Sequence, residues 1–226
     1  MTRIPKPSGN IKNRKTDIKQ QNKSILVVCE DEKSGCNYLQ LMSKYLRLHK
    51  TCIVKSSDTG SAPISVVEDA IKRVLSRKKE NEEPFELIFC VWDIDEHKSL
   101  NDARQLANAH DFNVIESNPC FEFWLLLHFI YHAAPIVRKA KKSPGDECEK
   151  LLKQYITNYD KSKIKDYFAK LMLKFETAKT NADKLREELH STNSINPATD
   201  LDLLIQSMEN KFLNEYPWKI IKSESL

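Results

Sequence analysis

The sequence predicts an α/β fold: a central parallel sheet flanked by helices, followed by a helical C-terminal lobe. Three observations carry that expectation. Between Ser24 and Tyr131 apolar runs of strand length alternate four times with amphipathic helical stretches, and repetition of that kind builds parallel sheets with helices on both faces. The strongest run, Leu87 to Trp92, is apolar without a break, as a strand buried on both faces requires. From Asp146 onward only helical periodicity remains.

Taken in order, Ser24 to Cys29 is the first strand and ends in Glu30-Asp31-Glu32-Lys33. Tyr38, Leu39, Leu41, Met42, Tyr45, Leu46 and Leu48 give the next helix a broad apolar face. Thr51 to Lys55 is the second strand. Ile64, Val67, Ala70, Ile71, Val74 and Leu75 mark a second amphipathic helix, which runs into the solvated stretch 77–83 before Pro84. The third strand is Leu87 to Trp92, with Asp93 and Asp95 at its carboxyl end. Leu100, Ala103, Leu106 and Ala107 make a third helix, and Phe112 to Ile115 a short fourth strand. Pro119 suits the first turn of a helix running to Tyr131. Residues 138–142 form a basic linker closed by Ser143-Pro144-Gly145. Helices are expected over 148–156, over 164–189 with breaks, and over 201–212, with residues 193–199 as a loop. The expected domains are a basic tail over 1–23, a catalytic-type sheet domain over 24–133 and a helical lobe over 134–226.

Composition narrows the function classes. The chain has 226 residues, 30% of them charged, with a net charge of +4. That balance is compatible with a nucleic-acid partner without requiring one. The first 23 residues hold seven Lys or Arg against a single Asp, which suits a solubilising tail as well as long-range phosphate contact. No stretch has the length of a membrane helix and no signal-peptide core opens the chain, so cytoplasm is the expected compartment and no membrane partner is expected. The six cysteines include no C-x-x-C pair and read as reduced core residues, without disulfides or zinc. There is neither a G-x-x-x-x-G-K-[ST] loop nor a G-x-G-x-x-G fingerprint, so nucleotide binding by either device is excluded. The oligomeric state stays open.

The chemistry gathers at one edge. In a parallel sheet, ligands sit outside the carboxyl ends of the strands. Three of the four strand ends here carry or lead to acids: Glu30 after the first, Asp93 and Asp95 after the third, Glu116 and then Glu122 after the fourth. Asp93 and Asp95 share a face if the strand continues through them. Side-by-side carboxylates need a cation or a shared proton, and hard oxygen ligands at this place suit Mg²⁺ or Mn²⁺. Such ions can clamp a phosphodiester and stabilise its leaving oxygen. Each acid also has a plainer account, as a solvated strand end or as charge at a helix N-terminus. Asn118 fits a helix cap. His128 and His132 stand four apart on one helix, but no H-E-x-x-H motif accompanies them, and a His within Leu-Leu-Leu-His-Phe suits a buried position or a cleft wall.

Three stretches carry a resemblance: Val27-Val28-Cys29-Glu30 with Glu32-Lys33 and Asn37-Tyr38; Val91-Trp92-Asp93-Ile94-Asp95; and Ser117-Asn118-Pro119-Cys120-Phe121-Glu122-Phe123-Trp124-Leu125-Leu126-Leu127-His128-Phe129. Strand-Glu followed by strand-Asp-x-Asp is similar to the Toprim domain. The chain more closely resembles the RloB family, Toprim-like proteins of bacterial restriction and phage-defence loci, over about residues 24–210. The resemblance implies a Toprim (Rossmannoid) fold and a metal-dependent nuclease acting as a phage-defence, abortive-infection effector. It implies cleavage of RNA, transfer RNA foremost, or of DNA, under control of a separately encoded ATPase of ABC or AAA type. It further implies Glu30 as metal ligand or general base, Asp93 and Asp95 as holders of Mg²⁺ or Mn²⁺, and Glu122 as an outer or second-metal ligand. Lys33 would contact the scissile phosphate and His128 would contribute to the active site. One departure stands out: Asp31 occupies the position after the glutamate where Toprim domains usually have glycine, and it supports an alternative, a catalytically inactive Toprim-like module that binds an ATPase partner or nucleic acid.

Overall fold

The computed structural model describes residues 24–58, 60, 62–94 and 100–210. Asp95, the basic segment 1–23 and the end of the last expected helix lie outside the described residues.

The apolar run at Ser24–Cys29 forms β1 and is buried along its whole length. It pairs in parallel with β2 (Cys52–Ser56) on one side and β3 (Phe85–Asp93) on the other. β3 pairs in parallel with β4 (Asn113–Asn118), and β4 with a two-residue antiparallel strand, β5 (Ala198–Thr199). The sheet order is β2-β1-β3-β4-β5.

Side chains alternate across this sheet and sort into two cores. Val27, Cys29, Phe89, Val91 and Ile115 share one core with α1 (Gly35–Tyr45) and α4 (Glu122–Leu127). Leu26, Val28, Cys90 and Trp92 share the other with α2 (Pro63–Lys79) and α3 (Leu100–Ala109). The split follows from the period of two along a strand and from right-handed crossovers. The chain leaves β1 in one direction to reach β2, then returns past β1 to β3. The strand order therefore reverses between β1 and β3, the place where open α/β sheets bind ligands.

The helical lobe comprises α5 (Pro144–Leu152), α6 (Ile164–Met172), α7 (Phe175–Thr192) and α8 (Leu201–Glu209). It extends the α1/α4 core through Cys148, Leu152, Ile156, Leu171, Ala178 and Leu204. This is a Toprim-like, mostly parallel sheet flanked by helices and followed by a helical lobe.

Four local expectations are corrected. The helix expected from Pro119 to Tyr131 is shorter and begins at Glu122. Asn118 still belongs to β4, and its side-chain amide donates to the Ile195 carbonyl (2.7 Å), so it caps nothing. The loop expected over 193–199 instead supplies β5, where the Ser117 and Thr199 hydroxyls meet at 3.2 Å. Helix α5 starts at Pro144 because Ser143 and Asp146 form a reciprocal capping box. The breaks expected within 164–189 are present: α6 and α7 divide around Leu173 and Lys174.

Candidate acidic site at the sheet switch point

Glu30 is the first residue beyond β1 and Asp93 the last of β3, and these strands are neighbours. The Glu30 N–H donates to the Val91 carbonyl (2.9 Å), and the Asp93 N–H donates to Glu30 Oε2 (3.1 Å). Asp93 stands two and four residues beyond Val91 and Phe89, so its side chain leaves the sheet on the α1/α4 face. Glu122, opening α4, is on that face too. Asp31 follows Glu30, and its carboxylate accepts the Ser34 N–H and hydroxyl (both 3.3 Å), which closes the turn into α1. Among the described residues, positive φ outside glycine occurs at Arg47, Asn81, Asp111, Ala140, Asn158 and Asn193; Asp31 is not one of them. The turn after the glutamate therefore needs no glycine here.

Glu122 is 1% exposed. A carboxylate so enclosed requires partners, and both come from the segment between α5 and α6. Tyr159 Oη donates to Glu122 Oε1 (3.1 Å), and Lys161 Nζ lies 3.4 Å from Oε2. Burial raises the Tyr159 hydroxyl far above its ordinary range, and Glu122 raises it further. Burial works to lower the Lys161 ammonium, but Glu122, Cys120 and Glu149 together outweigh it and the net shift is upward. Asp93 is raised well above the carboxylate range, first by burial and then by Glu122, Glu30 and Asp31, with Lys161 offsetting part of this. Acids outnumber cations around Asp93.

Two clefts open beside this cluster. One, of about 340 Å³, is lined by Asp93, Ile94, Asn118, Cys120, Asp146 and Lys161, among others. A larger one, of about 870 Å³, is lined by Lys33, Lys153, Tyr159, Asp160 and Lys161, among others. Lys161 and Glu149 line both.

The structure thus brings Glu30, Asp93 and Glu122 within electrostatic reach of each other and places the exposed Lys33 in the larger cleft. His128 stands apart. It is fully buried against Trp124 and Tyr38, its Nδ1 meets the Trp124 carbonyl at 3.0 Å, and burial lowers it to about 4. Glu116 leaves β4 toward the opposite face, where it accepts from Trp92 Nε1 (3.0 Å) and from the Arg104 guanidinium (2.8 and 3.0 Å). Glu32 is exposed. Sequence reasoning missed Tyr159 altogether; nothing in Thr-Asn-Tyr-Asp-Lys marks a tyrosine that reaches back to residue 122. Lys161 stands in the basic run Lys161-Ser162-Lys163-Ile164-Lys165, whose spacing does not separate a buried carboxylate's partner from a solvated face.

The fit of a divalent ion can be judged from these donors. Glu30 spends one oxygen on the Asp93 N–H, and Glu122 is engaged by Tyr159 and Lys161. Among the described residues no group of three or more His, Cys, Asp or Glu side chains is arranged to hold a metal ion. The set expected for Mg²⁺ or Mn²⁺, namely Glu30, Asp93, Asp95 and Glu122, is therefore not assembled by the described residues, and Asp95 lies outside them. Nor is any described helix long and apolar enough to cross a membrane.

Comparison with known proteins gives one positive finding. The family model described as RloB-like protein matches residues 25–208. No curated protein matches the chain, and no solved structure does. The match spans most of the sequence, the sheet and most of the lobe included: the chain belongs to the RloB-like family, within the Toprim-like, nuclease-related group of folds.

Proposed function

We propose that this RloB-like chain is a Toprim-like binding module that holds the phosphate backbone of a nucleic acid over the carboxyl ends of β1 and β3. The observation that carries this reading is the division of charge around Lys161. The acid expected to complete a metal site, Glu122, is enclosed by Tyr159 and Lys161, while Lys33, Lys153 and Lys161 line the open cleft beside it and outnumber its two acids, Asp160 and the Glu149 that pairs with Lys153 at 2.6 Å. Ammonium groups in a polar cleft suit phosphate oxygens regardless of base sequence. ATP hydrolysis in this reading belongs to a separately encoded ABC- or AAA-type ATPase, because the sequence has no phosphate-binding loop of its own. The setting is phage defence in the cytoplasm.

A second reading, a metal-dependent nuclease acting on RNA or DNA, is favoured by the juxtaposition of Glu30 and Asp93 at the switch point. Mg²⁺ is commonly held by one or two carboxylates together with substrate phosphates, so a bound nucleic acid would supply donors that the protein does not.

One experiment separates the two. Fluorescence anisotropy with labelled RNA and DNA strands is run on wild type and Asp93→Ala, and the same mixtures are resolved on gels after incubation with Mn²⁺. The binding module keeps its affinity in Asp93→Ala and leaves the strands intact. The nuclease cleaves with Mn²⁺ and loses cleavage in Asp93→Ala. Absence of binding by wild type at low salt would overturn the first reading.

A further inference from the structure

The two clefts are separated by a side-chain cluster that belongs to the lobe, not to the sheet. Lys161 lines both, and its ammonium faces Glu122 at 3.4 Å. That separation exceeds the roughly 2.7–2.9 Å of a tight ammonium–carboxylate bond. The two partners also differ in exposure: the Lys161 side chain is 43% exposed, Glu122 1%. The lysine can therefore turn toward the larger cleft without uncovering the carboxylate. Tyr159 makes that exchange tolerable, because its hydroxyl stays on Glu122 when the ammonium leaves. The segment bearing both residues is fastened locally. Asn158 adopts the left-handed conformation (φ 58°), the Tyr159 N–H returns to the Ile156 carbonyl, and the Asp160 carboxylate accepts from the Ser162 N–H and hydroxyl.

We propose that Tyr159 and Lys161 form a clasp on Glu122 that a phosphodiester backbone opens, by drawing Lys161 off Glu122 into the cleft shared with Lys33 and Lys153. Glu122 and the backbone then compete for one ammonium. Occupation of the larger cleft is felt at Asp93 as the withdrawal of a nearby positive charge, which couples nucleic-acid binding in the lobe to the acid edge of the sheet. The inference rests on the nucleic-acid reading given above and adds to it a regulated contact from outside the motifs that identify the fold.

The competition is testable by a double-mutant cycle on the full chain, read by anisotropy with short labelled RNA and DNA strands in a salt series. Lys161→Met weakens binding and lowers the salt slope by about one. Glu122→Gln, which keeps the shape and the Tyr159 contact, releases Lys161 and strengthens binding by roughly three- to tenfold at low salt. In the Lys161→Met background the same Glu122→Gln change has no effect. Tyr159→Phe leaves Lys161 as the remaining partner of the buried Glu122 carboxylate, holds the lysine there more firmly and weakens binding. Circular dichroism of each variant establishes that it is folded. A Glu122→Gln gain that persists without Lys161 reports general repulsion and overturns the clasp, as does the lack of any gain in a folded Glu122→Gln protein. Failure of wild type to bind either strand overturns the nucleic-acid reading itself, and the clasp with it. RNA and DNA responding alike identifies the shared phosphodiester as the ligand; a response to one alone assigns the clasp to that polymer.

Discussion

Two clusters of acids among the described residues, each centred on a buried or half-buried carboxylate, are built on different terms. The first is the strand-end group of Glu30, Asp31, Asp93 and Glu122, faced by Lys161. The second joins α7, α8 and β4. There Arg186 bridges both oxygens of the nearly buried Asp202 (2.7 and 2.6 Å) and reaches Asp183 (2.9 Å), while the Asp200 carboxylate accepts the Glu116 N–H (3.3 Å). In the second cluster the guanidinium is placed to satisfy its partners, and the result is a tie between elements distant in sequence. In the first, Asp93 is raised by burial and by three neighbouring acids against one lysine that serves a different carboxylate. A protein that needed those acids only for packing would gain by replacing them. Like-charge crowding at a sheet switch point is the feature on which the proposed binding reading draws, whereas the Arg186 knot needs no ligand to account for it.

The comparison predicts opposite signs for mutations in the two clusters. The largest effect belongs to the closed one. Arg186→Met leaves Asp202, whose side chain is 5% exposed, without its cation. Burial already pushes the Asp202 carboxyl upward against the pull of Arg186, so its removal is expected to cost about 3 kcal/mol. Urea unfolding followed by circular dichroism checks this. A cost under about 0.5 kcal/mol, the level of an ordinary surface change, would break the comparison.

At the open cluster the sign reverses. Asp93→Asn keeps the side chain's shape and removes a carboxylate that the fold resists ionising. The folded-state pKa is raised, so the wild-type carboxylate is unfavourable above it, and the penalty disappears as pH falls and the group protonates. The variant should therefore be more stable than wild type by about 1–2 kcal/mol at neutral pH. That gain should shrink on acidification through the raised pKa. It is measured by the same unfolding assay across a pH series. A destabilised, well-folded Asp93→Asn protein would move Asp93 into the structural class.

How much of this was legible beforehand follows the range of the interactions. β1 and β3 are apolar runs whose own composition makes them strands, and their order of connection places Glu30 beside Asp93. Local chemistry thus reached the middle of the site. It stopped where partners come from far along the chain. Tyr159 and Lys161 meet Glu122 only because α5 packs on α4, and β5 exists only because Asn118 and Ser117 find Ile195 and Thr199 across about eighty positions. A two-residue strand has no periodicity to read. The same limit applies to His128. The Leu-Leu-Leu-His-Phe run admits either a core residue or a cleft wall, and the tertiary packing of Tyr38 and Trp124 about the ring decides for the core.

The smallest predicted effect sharpens the comparison from inside the closed cluster. Asp200 is raised to about 6, chiefly by burial, although Arg186 and the Glu116 N–H both favour its charged form. Its folded pKa lies above the ordinary carboxylate value of about 3.8, so the folded state holds the proton more tightly than the unfolded chain does. Wild type should then lose stability as pH rises from about 4 to about 6, and the loss should be complete above that window. Asp200→Asn keeps an acceptor for the Glu116 N–H and removes the titration. It is expected to be more stable by about 1 kcal/mol at neutral pH and indistinguishable from wild type below the window. The gain stays small because Asp200 is not fully enclosed and water shares in its solvation. Chemical denaturation of both proteins over that pH range reads the difference directly. A gain at Asp200 larger than the gain at Asp93 would mean that crowding by like charge is no stronger at the sheet edge than in the Arg186 knot. The strand-end acids would then lose the feature that sets them apart as a binding site.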